Sequence, residues 1–315
     1  MHLVIGAGEF LGDRISRTLA TDGVPLIEVA ADSDEEALAD AMRGVEVVHV
    51  CAQAWSPVRR LRYRKDPPQL LVRVVAAARK AEVRRLILVS TADVYGPDHK
   101  GRINEKSELK PVHAFERLKR REEEWLRQEA RDLEVVTLRP ARVFGVGEDW
   151  LLPHLMANLS NGRLWLPQGG RAAMTFVAVS DVARACLAAA SRGEPGRSYI
   201  VGGFDSTWRD VLEAICHAVG IRCNISSLPY DLAYLRAMGD EMLTPVGAPI
   251  WPGIYAVDVL SKPRIYDDSW SRRELTWSPS IGSFEQELPQ LVPWLSGLLN
   301  EARTTTRAAT ARTSR

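Results

Sequence analysis

The stretch VIGAGEFLGDRI, residues 4–15, places Gly6, Gly8 and Gly12 between a short apolar run and a segment of helical spacing. Glycines at such a junction let the backbone turn tightly and come close to a phosphate, whose charge the following helix N-terminus attracts. Asp32 follows Gly12 by 20 residues. At that distance a carboxylate can accept hydrogen bonds from the hydroxyls of an adenine ribose. The set predicts a dinucleotide site. NAD is expected rather than NADP, because Asp32 would repel a 2′-phosphate and no Arg follows in the turn after the second apolar run. A tight strand-to-helix turn without a ligand asks for the same glycines, so the triplet alone decides nothing. Glu9 lies inside the loop. A carboxylate aimed at a pyrophosphate would be repelled, so its side chain is expected to point to solvent.

Apolar runs and helical repeats alternate through the first half of the chain, which is the pattern of a parallel sheet covered on both faces. MHLVI, VPLIEVAAD, VEVVHVCA, RRLILVST and LEVVTLRP read as strands, with Asp32 ending the second. DRISRTLATDG, DEEALADAMRG, QLLVRVVAAARKAEV and FERLKRREEEWLRQEA read as the helices between them. The expected fold is α/β: a Rossmann-type doubly wound parallel sheet with a smaller, mostly helical C-terminal substrate-binding region. Residues 1–150 form the dinucleotide-binding part and 175–203 return to it, with RSYIVGG as a further strand. Residues 151–174 and 204–300 form the substrate-binding region, in which LWLPQGG reads as a loop. Residues 301–315, rich in Thr, Ala and Arg without an apolar period, read as a disordered tail.

Composition narrows the function further. At 46% hydrophobic and 26% charged residues the 315-residue chain has the balance of a globular protein. A net charge of +1 implies no general pull toward nucleic acid or membrane surfaces. No apolar run approaches the roughly 20 residues of a membrane helix. Cys51, Cys186, Cys216 and Cys223 form no C-x-x-C pair, and reduced thiols in the cytoplasm are expected. No metal site is expected. The partner is a small molecule, and a homodimer is compatible with the chain.

Five stretches in order resemble the extended short-chain dehydrogenase/reductase family, in the group of NAD-dependent epimerases and dehydratases, nearest its 3β-hydroxysteroid dehydrogenase and dihydroflavonol reductase-like branch. GAGEFLG is similar to the family's glycine loop, with Glu9 for the middle glycine. VSTADVYG resembles the strand end whose Ser or Thr holds the substrate, here Thr91. FERLKRREEEWL resembles the Tyr-x-x-x-Lys helix, with Phe115 for the tyrosine and Lys119 intact. LRPARVFG resembles the segment beside the nicotinamide. FVAVSDVARA and DDSWSRRELTWSP resemble later landmarks. The resemblance runs from Met1 to about residue 297. It implies that Gly6, Gly8, Phe10, Leu11, Gly12, Asp32, Ala52, Lys119, Pro140 and Val143 bind the cofactor. Nucleotide-sugar members usually carry an Arg where this chain has Met174, so a sugar nucleotide is not expected. LPYDLAYLRAMGDEML, residues 228–243, is similar to the helix that covers the substrate in the steroid and dihydroflavonol reductase branches; a plain core helix has the same pattern.

In the family, the tyrosine hydroxyl exchanges a proton with the substrate oxygen while hydride moves to or from the nicotinamide, and the lysine lowers the phenol's pKa. Positions i and i+4 share a helix face, so residues 115 and 119 both reach the site. Phe115 has no proton to give. Tyr95 and His113 are the candidate substitutes. Tyr95 belongs to the VYG packing segment, and His113 reaches the site only if the helix starts after it. Glu116 should point away, and His49, on a buried strand, reads as a satisfied core histidine. Three functions remain open: an oxidoreductase or epimerase with a displaced acid, a redox-inert dinucleotide-binding regulator or scaffold, and a non-redox lyase or isomerase on the same fold.

Overall fold

The computed structural model describes residues 1–52, 68–160, 163–245, 248 and 251–313, with backbone alone for 303 and 305–313. Three hydrophobic strands lead the chain: β1 (His2–Ile5), β2 (Leu26–Val29) and β3 (Val47–Val50). Between them lie α1 (Phe10–Thr21) and α2 (Glu35–Ala41). In α1, Leu11, Ile15 and Leu19 recur every four residues and form its buried stripe. Asp34 caps α2 by accepting the Ala37 N–H at 2.8 Å. Then follow α3 (Gln69–Lys80), β4 (Arg85–Val89), α4 (Ala114–Glu129) and β5 (Glu134–Pro140). Every residue of β3 and β4 is buried, as parallel strands covered on both faces require.

The later elements are β6 (Arg142–Phe144), α5 (Leu151–Ser160), β7 (Leu164–Pro167), β8 (Ala173–Ala178), α6 (Val179–Arg192), β9 (Ser198–Val201), β10 (Phe204–Thr207), α7 (Trp208–Ala218), β11 (Ile225–Leu228), α8 (Tyr230–Leu243), α9 (Ile254–Ser261), α10 (Ser269–Leu275) and α11 (Leu288–Thr313). Six strands form a parallel sheet in the order β2-β1-β3-β4-β5-β9. The chain steps outward from β1 to β2 and returns to β3 on the other side, so the crevice between the C-terminal ends of β1 and β3 is the topological switch point. Two apolar layers cover the sheet, one with Ile15, Leu19, Val182 and Cys186, the other with Leu38, Met42, Val74 and Leu126. The α/β Rossmann-type architecture is therefore present as expected.

Three features differ from expectation. β2 ends at Val29, and Asp32 stands exposed in the turn beyond it rather than at the strand's end. LWLPQGG contributes β7, which pairs with β11 some 60 residues later, while β6, β8 and β10 form a separate three-stranded sheet. Four-residue strands with distant partners leave no local period to read. Residues 301–313 continue α11 as helix instead of forming a tail. Ala and Arg are good helix formers, and a helix already nucleated extends at little further cost. Among the described residues, no helix is long and apolar enough to cross a membrane.

Candidate active site

Gly6 and Gly8 turn the chain after β1 with φ of 100° and 93°, in the region only glycine enters freely. A Cβ on Gly6 would lie 2.7 Å from the Ala52 nitrogen at the end of β3. A Cβ on Gly12 would lie 2.0 Å from the Gly6 carbonyl oxygen. These glycines hold α1 tightly against the switch point. No side chain caps α1, so the N–H groups of its first turn are available to an anion. This arrangement fits a pyrophosphate.

Next to the loop, a cavity of about 210 Å³ is lined by Glu9, Phe10, Leu11, Thr91, Phe115, Lys119, Val143 and Trp150, among others. Residues expected at the site from distant parts of the chain thus meet: Thr91 from the end of β4, Phe115 and Lys119 from α4, and Val143 from β6. Ala52 packs beneath Gly6. Asp32, Ala52 and Pro140 do not border this cavity. Glu9 borders it and is partly buried, and its backbone N–H is bonded to the Gly6 carbonyl at 3.1 Å.

Lys119 is almost fully buried and donates to Glu122 at 2.9 Å. Thr91 Oγ1 accepts the Asp93 N–H at 3.1 Å, leaving its own proton to donate. Of the two substitutes for the missing phenol, neither borders the cavity. Tyr95 is fully buried, and its hydroxyl accepts from Arg139 at 2.9 Å. Burial pushes its pKa up against the pull of Arg139. His113 stands just ahead of α4 with extended backbone, and its ring pairs with Asp258 of α9 at 2.9 Å. Glu116 does not border the cavity and accepts from Arg264 in a buried pairing at 2.9 Å. His49 shares a 3.0 Å hydrogen bond with His2, but its Nδ1 is buried without a partner.

An ionic network that the sequence reading missed forms one wall. Asp93 receives Arg142 at 2.9 Å, Arg264 at 2.7 Å and the Tyr255 hydroxyl at 2.5 Å. Burial alone would raise the Asp93 pKa, but the two guanidinium groups and the Tyr255 O–H outweigh it and hold the carboxyl well below the usual range. Tyr255 packs on Phe115 at 5.5 Å between ring centres and stacks on Trp150 at 5.2 Å. Burial, then the adjacent Asp93, drive its pKa far up. The Arg142 guanidinium lies 4.7 Å over the Trp150 ring. Glu148 fixes Trp150 by accepting the N–H groups of Trp150, Leu151 and Leu152. Arg142 lies within LRPARVFG and Asp93 within VSTADVYG. Nothing local marks Tyr255 or Arg264, which lie more than 100 residues further on. Arg264 bridges to the backbone of Met174. The position that lacks an arginine in sequence thus has one beside it in space, already engaged by Asp93 and Glu116. Arg73 of α3 reaches the turn after β2 and donates to the Ala31 carbonyl at 3.0 Å. The second-strand turn thus has an arginine nearby that its own sequence does not contain.

Residues 2–202 match the NAD dependent epimerase/dehydratase family. The chain belongs to that family, whose extended short-chain dehydrogenase/reductase fold and nicotinamide dinucleotide cofactor suit the crevice described above. It is 27% identical over 219 residues to 4-hydroxy-2-methyl-3-oxo-4-farnesyl-3,4-dihydroquinoline-1-oxide ketoreductase of Stigmatella aurantiaca, a match covering 66% of this chain and 65% of that one, just under two thirds of its length. It is 27% identical to Sterol demethylase protein B of Methylococcus capsulatus over 285 residues, 85% of this chain and 84% of that one. Among solved structures, a double mutant of DesIV, a dTDP-glucose 4,6-dehydratase from Streptomyces venezuelae with NAD and DAU bound, superposes with a TM-score of 0.73 at 21% identity, covering 93% of this chain and 96% of that one. UDP-glucose 4-epimerase from Thermotoga maritima with UDP-glucose gives 0.72 at 19% identity, covering 95% and 99%.

Proposed function

We propose that the chain is an NAD(P)-dependent oxidoreductase or epimerase-type enzyme for a small hydroxyl or carbonyl compound that is not a nucleotide sugar, with the family's tyrosine replaced by Phe115. The observation that carries this reading is the meeting of Thr91, Lys119 and Phe115 in one cavity beside the glycine loop. The dinucleotide, when bound, supplies hydride transfer. Gly6, Gly8, Gly12 and the start of α1 would receive its pyrophosphate, and Lys119 its ribose. Thr91 has a free proton with which to hold the substrate oxygen. Arg142 cannot release a proton. It and Lys119 can still turn N–H donors toward that oxygen, although each charge is already balanced by a carboxylate, Asp93 and Glu122. The names of the two relatives, one a ketoreductase for a farnesylated compound and one a sterol protein, support an apolar substrate. Four free cysteines, three of them buried, suit a reducing compartment such as the cytoplasm.

Asp32 favours NAD, while Arg73 beside the same turn supplies a cation that a 2′-phosphate could use, so both dinucleotides belong in the test. Calorimetry with NADH and NADPH, followed by turnover with a panel of apolar ketones, checks the reading. Binding with turnover supports it. Failure of both dinucleotides to bind would overturn it. Binding without any turnover would favour the second reading, a redox-inert dinucleotide-binding protein, which Phe115 and the partly buried Glu9 also support.

A further inference from the structure

The two faces of β5 are covered unequally. Val136 and Leu138 lie in the apolar layer that includes Val182 and Cys186 of α6. Their neighbours Val135, Thr137 and Arg139 point the other way, as alternate strand residues do, and border a cavity of about 890 Å³. It lies between α4, α10, residues 104–109 and residues 195–198. The cavity beside Phe115 is smaller, about 210 Å³, and shares no lining residue with it. A site for one small organic molecule takes ~300–1,000 Å³, so the larger cavity has room for a ligand of its own.

Burial divides its lining into a floor and a rim. Leu126, Ala130 and Val135 are buried, and Leu109, Leu133 and Trp270 partly so; these make an apolar floor. Lys106, Arg127, Arg131 and Arg273 are exposed and make the rim. Seven cations line the cavity with four carboxylates, an excess of three in a chain whose net charge is +1. The carboxylates are engaged. Glu123 accepts two hydrogen bonds from Arg139, at 3.1 and 2.7 Å, and Glu124 pairs with Arg120 at 2.7 Å. Glu105 accepts from the Ser271 hydroxyl, and Asp267 accepts the Ser269 N–H at 3.0 Å. Among the described residues, the four rim cations have no carboxylate partner. Like charges around a concave, low-dielectric wall focus their field and draw in the opposite charge. The floor favours hydrocarbon, because apolar surface is better placed against apolar surface than against water. Inorganic phosphate would leave the floor wet, and a neutral hydrocarbon would leave the rim unused.

We propose that this cavity is a second ligand site, for an amphiphilic anion: a hydrocarbon chain ended by a carboxylate or a phosphate. The chain lies on Leu126, Leu133, Val135 and Trp270, and Arg127, Arg131 and Arg273 hold the head group at the rim. The site is separate from the glycine loop and does not depend on the dinucleotide reading.

Calorimetry of the full chain with sodium dodecanoate, below its micelle-forming concentration, should show saturable binding. Octanoate, decanoate and dodecanoate should bind progressively tighter, by about tenfold for each two methylenes buried. Arg127→Glu combined with Arg273→Glu should weaken dodecanoate binding about tenfold or more, while the two lysine substitutions at the same positions should largely retain it. Both side chains are exposed, and circular dichroism checks that each variant is folded. Dodecyl phosphate, run beside dodecanoate, assigns the head group to whichever binds more tightly. Absence of binding by both overturns the proposal. So does inorganic phosphate or dodecyltrimethylammonium binding as tightly as dodecanoate, a double charge reversal that leaves the affinity intact, or displacement of dodecanoate by NADH, which would put it in the dinucleotide crevice instead.

Discussion

With Phe115 at the proposed tyrosine position the site lacks a phenolic proton donor, and the tyrosine hydroxyls near it are committed elsewhere. Tyr95 is held by Arg139, and Tyr255, although it touches the Phe115 ring, gives its proton to Asp93. A hydroxyl restored at position 115 would border the cavity on the same helix face as Lys119. Phe115→Tyr should therefore raise any residual carbonyl reduction by ~10²–10⁴-fold, the usual worth of a positioned general acid. Steady-state rates with NADH or NADPH and a ketone that the wild type reduces slowly provide the check; an unchanged rate would mean that another group already supplies the proton. Lys119 presents a separable question. Its buried partner Glu122 would be left as an unpaired buried charge in Lys119→Met, at a cost of about 3–5 kcal/mol. Adding Glu122→Gln should recover most of that stability in urea titrations without restoring dinucleotide affinity, if Lys119 holds the ribose. Recovery of both would assign the lysine a purely structural role.

The glycine loop works as a joint between β1, α1 and the end of β3. Gly12 and Gly8 are not equivalent within it. A side chain on Gly12 would strike the Gly6 carbonyl, whereas one on Gly8 meets nothing within 4 Å and is strained only by its φ of 93°. Gly12→Val should abolish dinucleotide binding and destabilise the chain by about 1–3 kcal/mol, as overpacking does. Gly8→Ala should cost about 1 kcal/mol of backbone strain and keep the fold. Thermal melts paired with NADH titration separate the two; equal losses would show that the loop is not packed as described.

Across the whole molecule, the His2–His49 pair ties β1 to β3 inside the sheet. Burial, with His2 as a smaller contributor, lowers the His49 pKa to about 3. The neutral ring is therefore favoured in the folded state, while the unfolded chain takes up a proton near pH 6.5. The full stability is present above that pH and declines as pH falls toward 3, by at most about 1.4 kcal/mol per unit from this group. His49→Val removes the titrating ring, so its melting temperature should fall less steeply than that of the wild type between pH 6.5 and 5. Parallel slopes would remove His49 from the account. At the other end of the chain, Leu299 is buried but Glu301 and Thr304 of the same helix are exposed. Deleting residues 301–315 should leave stability within about 0.5 kcal/mol, and a loss of several degrees in Tm would show that the extension docks.

The alternation of apolar runs and helical repeats determined the parallel sheet, because burial on both faces leaves its period in each segment separately. The glycine loop was legible because spacing at a strand end marks a tight turn, whereas Thr91, Phe115 and Lys119 were singled out by the family resemblance, and only the fold brought them to one cavity. The surroundings of those residues were not legible. Asp93, Arg142, Tyr255 and Arg264 acquire meaning only when β4, β6, α9 and the segment after it converge, and a charge that is solvated in the chain becomes, once buried, an obligation to find a partner. The same holds for Glu9, whose orientation depends on how α1 starts, and for Arg73, which reaches the turn after β2 only because α2 and α3 pack side by side. The apolar character of α8 was visible in its residues, but only the tertiary structure decided which side was covered, since a hydrophobic period records the need for burial and not the surface that meets it.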